Sequence, residues 1–284
     1  MIPPYIKSLI LDMDGVLWKD ANPIGDLPAI FARIRQRGLK VVFATNNGTR
    51  TPEQYIERLA GFGVQAKTWQ IVTSSLVVAE MLARRFALTI PPSPPSSPNI
   101  GRGRGARSGR LVRAVFAIGE EGLMQALREK GFEPLPVEAA ENAQAVVMGI
   151  DRQISYNKMR EAALLVRRGL PFYATNPDKT FPTPRGEIPG AGAWASVIVI
   201  ATGTEPIFAG KPAPYLIEMA RERLRTEKEE TLVVGDRLET DISGGQAAGC
   251  PVALVLSGVS TREQAEAWRP KVDVMAENLG ELVK

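Results

Sequence analysis

The sequence predicts an α/β fold built on a parallel sheet, and three observations carry that expectation. Short β-branched or apolar runs end in polar or glycine-rich turns, they alternate with longer helical patterns, and in several of the runs apolar residues stand side by side rather than in alternation. The third point matters most, because strands covered by helices on both faces are apolar throughout, whereas half-solvated strands alternate. With 284 residues, 44% of them AVILMFWYC and 23% charged, the chain suffices for one large domain or two ordinary ones, and a disordered or fibrous protein is excluded.

The first strands are expected at residues 6–11, 40–44 and 231–235. After the second of them, Thr51, Pro52 and Gln54 supply an N-cap, an N1 proline and a capping-box partner, which starts a helix. Further βα units are expected at 112–118 with 121–130 and at 145–150 with 156–168, followed by a strand at 171–175. These are enough for a separate layer. Residues 90–110, ending in PPSPPSSPNIGRGRGARSGR, have little to bury and read as a flexible, solvated insertion at a domain edge.

Composition removes several classes of function. The net charge is +4, but residues 81–119 hold seven arginines and no acid, and the remainder has 28 basic against 31 acidic residues. No basic track for nucleic acid remains, and the arginine-rich segment lacks the aromatics that would stack on bases. No histidine is present, which excludes an imidazole base, a Ser-His-Asp triad and a histidine-bound metal. The single cysteine, Cys250, can form neither an internal disulfide nor a thiolate zinc cage, as suits a reducing interior. No apolar run approaches the roughly 20 residues of a membrane span, and residues 1–12 lack a cationic, apolar signal pattern. A cytoplasmic protein that contacts neither membrane nor nucleic acid is expected.

Four polar clusters fall where strands end or helices start. The first strand runs into Asp12-Met13-Asp14-Gly15, with two carboxylates at i and i+2 and a glycine that permits a sharp turn. The second ends in Thr45-Asn46-Asn47-Gly48, rich in hydroxyl and amide groups suited to phosphate oxygens. Gly210-Lys211-Pro212 puts an ammonium before a helix expected near Ala213. Gly235-Asp236-Arg237-Leu238-Glu239-Thr240-Asp241 again follows a strand, and an N-cap role explains one of its acids. Singly, each is an ordinary turn, cap or solvated lysine.

Together and in this order, the four clusters resemble the signature motifs of the haloacid dehalogenase superfamily of aspartyl-phosphate hydrolases. Val147-Met-Gly-Ile-Asp-Arg152, Ala174-Thr-Asn-Pro-Asp178, Pro189-Gly-Ala-Gly192 and Ala201-Thr-Gly-Thr-Glu-Pro206 are similar to the NagD and 4-nitrophenylphosphatase-like subfamily IIA. The resemblance implies a Rossmann-like, doubly wound core with an inserted C2-type α/β cap. It places the core at 1–85 and 188–284 and the cap at 86–187, and it allows caps to pair between subunits. The glycine pair Gly190 and Gly192 would then begin a helix returning from cap to core. That stretch also obeys the dinucleotide pattern G-x-G-x-x-A, which is set aside because residues 185–189 read as no strand and no acid follows at the ribose position.

The resemblance further implies a Mg2+-dependent phosphatase acting on a small phosphomonoester. Asp12 would be the nucleophile and Asp14 the acid that protonates the leaving oxygen and then activates water. Thr45, Asn46, Asn47, Gly15 and Lys211 would hold the phosphate oxygens, and Asn176 and Asp178 would reach the leaving group from the cap. Trp18, beside the first motif, would either touch the leaving group or pack in the core. Asp12, the Asp14 backbone carbonyl and Asp236 would hold Mg2+, with Asp241 ordering a ligand water. A phosphotransferase or mutase shares the acid pair, and a non-catalytic phosphometabolite binder shares the fold. A haloacid dehalogenase would give Asp14 no task.

Overall fold

The computed structural model describes residues 2–88, 113–183 and 185–284, so the insertion expected at 90–110 lies outside the described residues. The strand Ser8–Leu11 is buried at every position. Leu9 and Leu11 enter one apolar cluster and Ile10 enters another on the opposite face, as a strand covered on both sides requires. It pairs in parallel with Lys40–Thr45 on one side and Thr231–Gly235 on the other. Ile71–Thr73 extends one edge, and Val252–Val255 with Val274–Ala276 extends the other, so that six parallel strands form the sheet.

The chain therefore starts in the middle, winds outward to one edge, and later returns to wind toward the other. This is the doubly wound order, and the winding reverses between Ser8–Leu11 and Thr231–Gly235. The crevice beyond the carboxyl ends of those two strands is where such sheets bind ligands. The helix Pro52–Gly61 starts at the expected capping box, with the Thr51 hydroxyl accepting from Gln54 N and the Gln54 side chain accepting from Thr51 N.

A second sheet contains Ile207–Phe208, Phe172–Ala174, Val146–Met148, Arg113–Ile118 and Phe132–Pro134, in that order and all parallel. Its edge strand Ile207–Phe208 comes from well beyond residue 187, so this layer extends past the expected cap boundary. The helix Ala191–Thr202 belongs to the same layer, because Ala195 and Ile198 are buried with Leu165 and Val166 of the helix Tyr156–Arg167 and with Phe116, Val146 and Phe172 of the sheet. It does not return the chain to the core. The return follows Phe208, immediately before Lys211.

The expectation that 185–189 forms no strand is also corrected. Gly186–Pro189 pairs antiparallel with Thr180–Thr183 in an exposed hairpin. A dinucleotide site still does not follow, since this hairpin stands apart from both parallel sheets. Gly190 and Gly192 have another reason to be glycine. A Cβ at either would collide with the backbone carbonyls of Pro177 and Asp178, and Gly192 N donates to Asp178 O at 2.9 Å. The long apolar run near Trp194 lies within this 12-residue helix, and no helix among the described residues is long and apolar enough to cross a membrane.

Replacing Leu9 by Ala should lower the unfolding free energy by about 2–5 kcal/mol, the usual range for a fully buried leucine in a sheet core. Urea denaturation followed by circular dichroism measures this, and a loss below about 0.5 kcal/mol would contradict the two-faced burial of the central strand.

Candidate active site

The reversal of winding brings Asp12 and Asp236 side by side, although 224 residues separate them along the chain. Asp12 follows the central strand directly and is tied to its neighbour by Asp12 N donating to Val234 O at 2.9 Å. Gly15 turns the chain with φ +81°, and a Cβ there would lie on the Asp236 carboxylate. A glycine is needed for both reasons. Asp236 is held by Val259 N donating to its Oδ2 at 2.9 Å, and Gly258 is a second position where a Cβ would strike that carboxylate.

Asp241 completes the cluster from the turn after Asp236. Its Oδ2 accepts from Asp236 N at 3.2 Å and from Arg237 N at 3.1 Å, so it caps the turn it belongs to. One oxygen from each of Asp12, Asp236 and Asp241 lies within 4.8 Å of the others. Lys211 Nζ donates to Asp12 Oδ1 at 2.6 Å, to Asp241 Oδ1 at 2.5 Å and to Ala44 O at 3.0 Å. All three of its donors are thereby used.

Three carboxylates against one ammonium leave a buried excess of negative charge. Burial pushes the Asp12 carboxyl well above the usual carboxylate range; Lys211 opposes the shift, while Asp241 and Asp236 add to it. Burial, reinforced by Asp241, pushes Asp236 up to about 7. Burial would pull the Lys211 ammonium down, but the facing Asp12 and Asp241 carboxylates hold it above the ordinary lysine value. A divalent cation is the complement of this charge. The donor set is all oxygen, which suits a hard ion such as Mg2+, and Gly15 and Gly258 leave the Asp236 carboxylate the room it occupies. The residues present fit such an ion.

Asn46 fastens the lysine to the first half of the core. Its Oδ1 accepts from Lys211 N at 2.8 Å, and its Nδ2 donates to Lys211 O at 2.8 Å and to Asp178 Oδ1 at 3.2 Å. Its side-chain amide thus positions the Lys211 backbone, and Asn46 itself borders the cavity. The Asn47 side-chain oxygen likewise accepts from Thr49 N and Thr49 Oγ1, which shapes the turn. Thr45 lines the cavity and its Oγ1 accepts from Asn47 N at 3.0 Å. Asn176 does not line that cavity: it is buried, with Nδ2 donating to Asn46 O at 2.8 Å and Oδ1 accepting from Asp178 N at 3.1 Å. Asp178 does line it, and burial pushes its carboxyl upward although the Asn46 amide opposes that.

The cavity measures about 400 Å3 and is walled by both layers. Trp18 is fully buried and also borders it, with Nε1 donating to Asp14 Oδ1 at 2.7 Å. The indole thus fixes the rotamer of the second aspartate. Several contributors carry no motif recognisable in sequence: Arg50, Arg58, the Thr180–Thr183 strand, and the loop at Gly258 and Val259. The loop had one available signal, since the glycine of Ser257-Gly258-Val259 follows another core strand at the same sheet edge.

Comparison with known proteins agrees with this geometry. A profile of haloacid dehalogenase-like hydrolases matches residues 9–133, and a HAD-hydrolase-like profile matches 208–282. The 5'-nucleotidase YutF of Bacillus subtilis is 35% identical over 257 residues, covering 90% of each chain. The 4-nitrophenylphosphatase of Thermotoga maritima superposes with a TM-score of 0.84 at 31% identity, covering 99% of this chain and 97% of its own. A glycerol phosphate phosphatase of Mycobacterium tuberculosis, solved with magnesium, superposes with a TM-score of 0.83 at 30% identity over 99% of this chain and 78% of its own. The chain belongs to the haloacid dehalogenase-like hydrolases. Within them it is a phosphoric monoester hydrolase of the group that includes NagD and the 4-nitrophenylphosphatases.

The raised Asp236 value has a measurable consequence. In the ion-free protein, a carboxyl at about 7 instead of the ordinary 3.8 favours the fold at low pH, and that contribution is lost as pH rises through 7. A bound cation needs the ionised form, so it should restore stability most where the loss is greatest. The rise in Tm on adding Mg2+ should therefore be larger at pH 8 than at pH 5.5, as differential scanning fluorimetry would detect; an equal rise at both would contradict the charge reading.

Proposed function

We propose that the chain is a Mg2+-dependent phosphatase that hydrolyses small phosphomonoesters through a phosphoryl group carried on Asp12. The observation that carries the proposal is the meeting of Asp12, Asp236, Asp241 and Lys211 at the sheet's reversal point, with Asp14 two residues from the nucleophile. A magnesium ion held by Asp12 and Asp236, with Asp241 close by, would offset the repulsion between a phosphate dianion and an anionic nucleophile.

The chain's own groups account for the remaining chemistry. An Asp12 carboxylate oxygen attacks phosphorus while the bond from phosphorus to the ester oxygen breaks, and Asp14 delivers its proton to that departing oxygen. Asp14, now ionised, takes a proton from water as the water oxygen attacks the acyl phosphate, which frees inorganic phosphate and regenerates Asp12. The Trp18 indole N–H keeps the Asp14 carboxyl in one orientation for both transfers. Lys211 supplies fixed positive charge, and the Thr45 hydroxyl lies in the same cavity for a phosphoryl oxygen.

Asp178 lies on the cavity wall and fits contact with the substrate side of the site, whereas Asn176 fits a supporting role beneath it. Continuous phosphate release separates hydrolysis from a transferase or mutase, which must protect its phosphoenzyme from water. With 4-nitrophenyl phosphate and Mg2+, Asp12→Asn should lower kcat by at least about a thousandfold while leaving the circular dichroism spectrum unchanged, and EDTA should abolish wild-type turnover. Wild-type rates in the variant, or undiminished rates after chelation, would each overturn the mechanism.

A further inference from the structure

Besides its carboxylates, the cavity has a cationic side. Arg50, in the turn after the strand Lys40–Thr45, and Arg58, on the helix Pro52–Gly61, both line it. The Arg58 guanidinium lies 4.2 Å from the centroid of the Trp18 ring, and the same indole donates to Asp14 Oδ1 at 2.7 Å. The cationic side therefore borders the carboxyl that serves the leaving oxygen.

These two arginines differ from Arg152 in being unpaired with a carboxylate among the described residues, and from Arg237 in lying away from the Asp236 turn. Arg152 is held by Glu120 through bonds of 2.6 and 2.5 Å. Arg237 forms no ion pair among the described residues either, but it follows Asp236 directly in the chain and its charge acts on the Asp236 and Asp178 carboxyls, holding them lower than burial alone would. Among the described residues, neither Arg50 nor Arg58 forms an ion pair with a carboxylate, and Arg58 donates only to a neutral acceptor, the Asp20 carbonyl. Burial pulls the Arg58 guanidinium below the ordinary arginine value; Asp14 opposes this, and neighbouring Arg50 reinforces it. Two guanidiniums that repel each other across one wall are relieved by a shared anion, which their planar donors bind well.

We infer that Arg50 and Arg58 form an anion subsite on the leaving-group side, so that the enzyme selects phosphomonoesters whose leaving group carries a second anionic group, either a carboxylate or another phosphate. The inference rests on the phosphatase reading and narrows its substrate class. Asp14 protonates the ester oxygen next to this subsite, and the departing alcohol keeps its second charge throughout.

Three esters on one three-carbon frame test it: 3-hydroxypropyl phosphate, 3-phosphonooxypropanoate and 1,3-propanediol bisphosphate. Phosphate release with Mg2+ should show kcat/KM about tenfold or more higher for at least one anionic ester than for the neutral one. Comparison of the two anionic esters identifies the favoured group. Arg50→Met should bring that preference to within about threefold, whereas Arg50→Lys should keep part of it. Equal rates for all three esters in the wild type, or an unchanged preference in Arg50→Met, would overturn the subsite and leave the phosphatase reading intact. No release from these esters or from 4-nitrophenyl phosphate would overturn the phosphatase reading itself.

Discussion

Three carboxylates packed around one ammonium, beneath the surface of a cleft, form the constraint on which the rest of the structure depends. Such a cluster is costly in a protein interior unless its charge is matched. The fold meets part of that cost with Lys211, which contacts Asp12 and Asp241 together. The remaining negative charge is what makes the site a receptor for a divalent ion and, through it, for phosphate. Strand order explains why the cluster can exist. Only at the point where the winding reverses do the ends of Ser8–Leu11 and Thr231–Gly235 lie next to each other with no crossover helix between them.

The second layer matters because it contributes to the same cluster from its base. Asn46 ties the Lys211 backbone to the turn after Lys40–Thr45 and also reaches Asp178, while Asn176 holds the Asn46 carbonyl. One side-chain amide thus joins both halves of the core to the cap loop. Displacing that loop would disturb the lysine that balances the nucleophile. The layers also share apolar contact, since Leu123 and Leu127 of the cap are buried in one cluster with Val78 and Leu82 of the core.

Much of this was legible in the residues. The consecutive apolar residues of the central strands, the capping box at Thr51 and the acidic pair after the first strand each report a local physical demand, and local demands can be read from neighbouring residues. The far edge of the second layer is not legible, for the opposite reason. Ile207–Phe208 is two residues long and earns its place only by pairing with Phe172–Ala174, a contact that no local pattern records. The Thr180–Pro189 hairpin was missed because its second strand is exposed along its length and shows no alternation. The side-chain amides of Asn46 and Asn176 hydrogen-bond backbone groups of Lys211 and Asn46, partners that only the folded chain reveals. Arg50 and Arg58 belong to no local motif, and only the cavity gives them a common wall.

The central claim is that aspartates distant in sequence make one cation site, and metal binding measured directly tests it without any substrate. Isothermal titration of the metal-free protein with Mg2+ should give a single site of one ion per chain, and Asp236→Asn should weaken it at least about tenfold while the variant keeps its thermal unfolding transition. A variant that remains folded and binds the ion as tightly as the wild type would contradict the account.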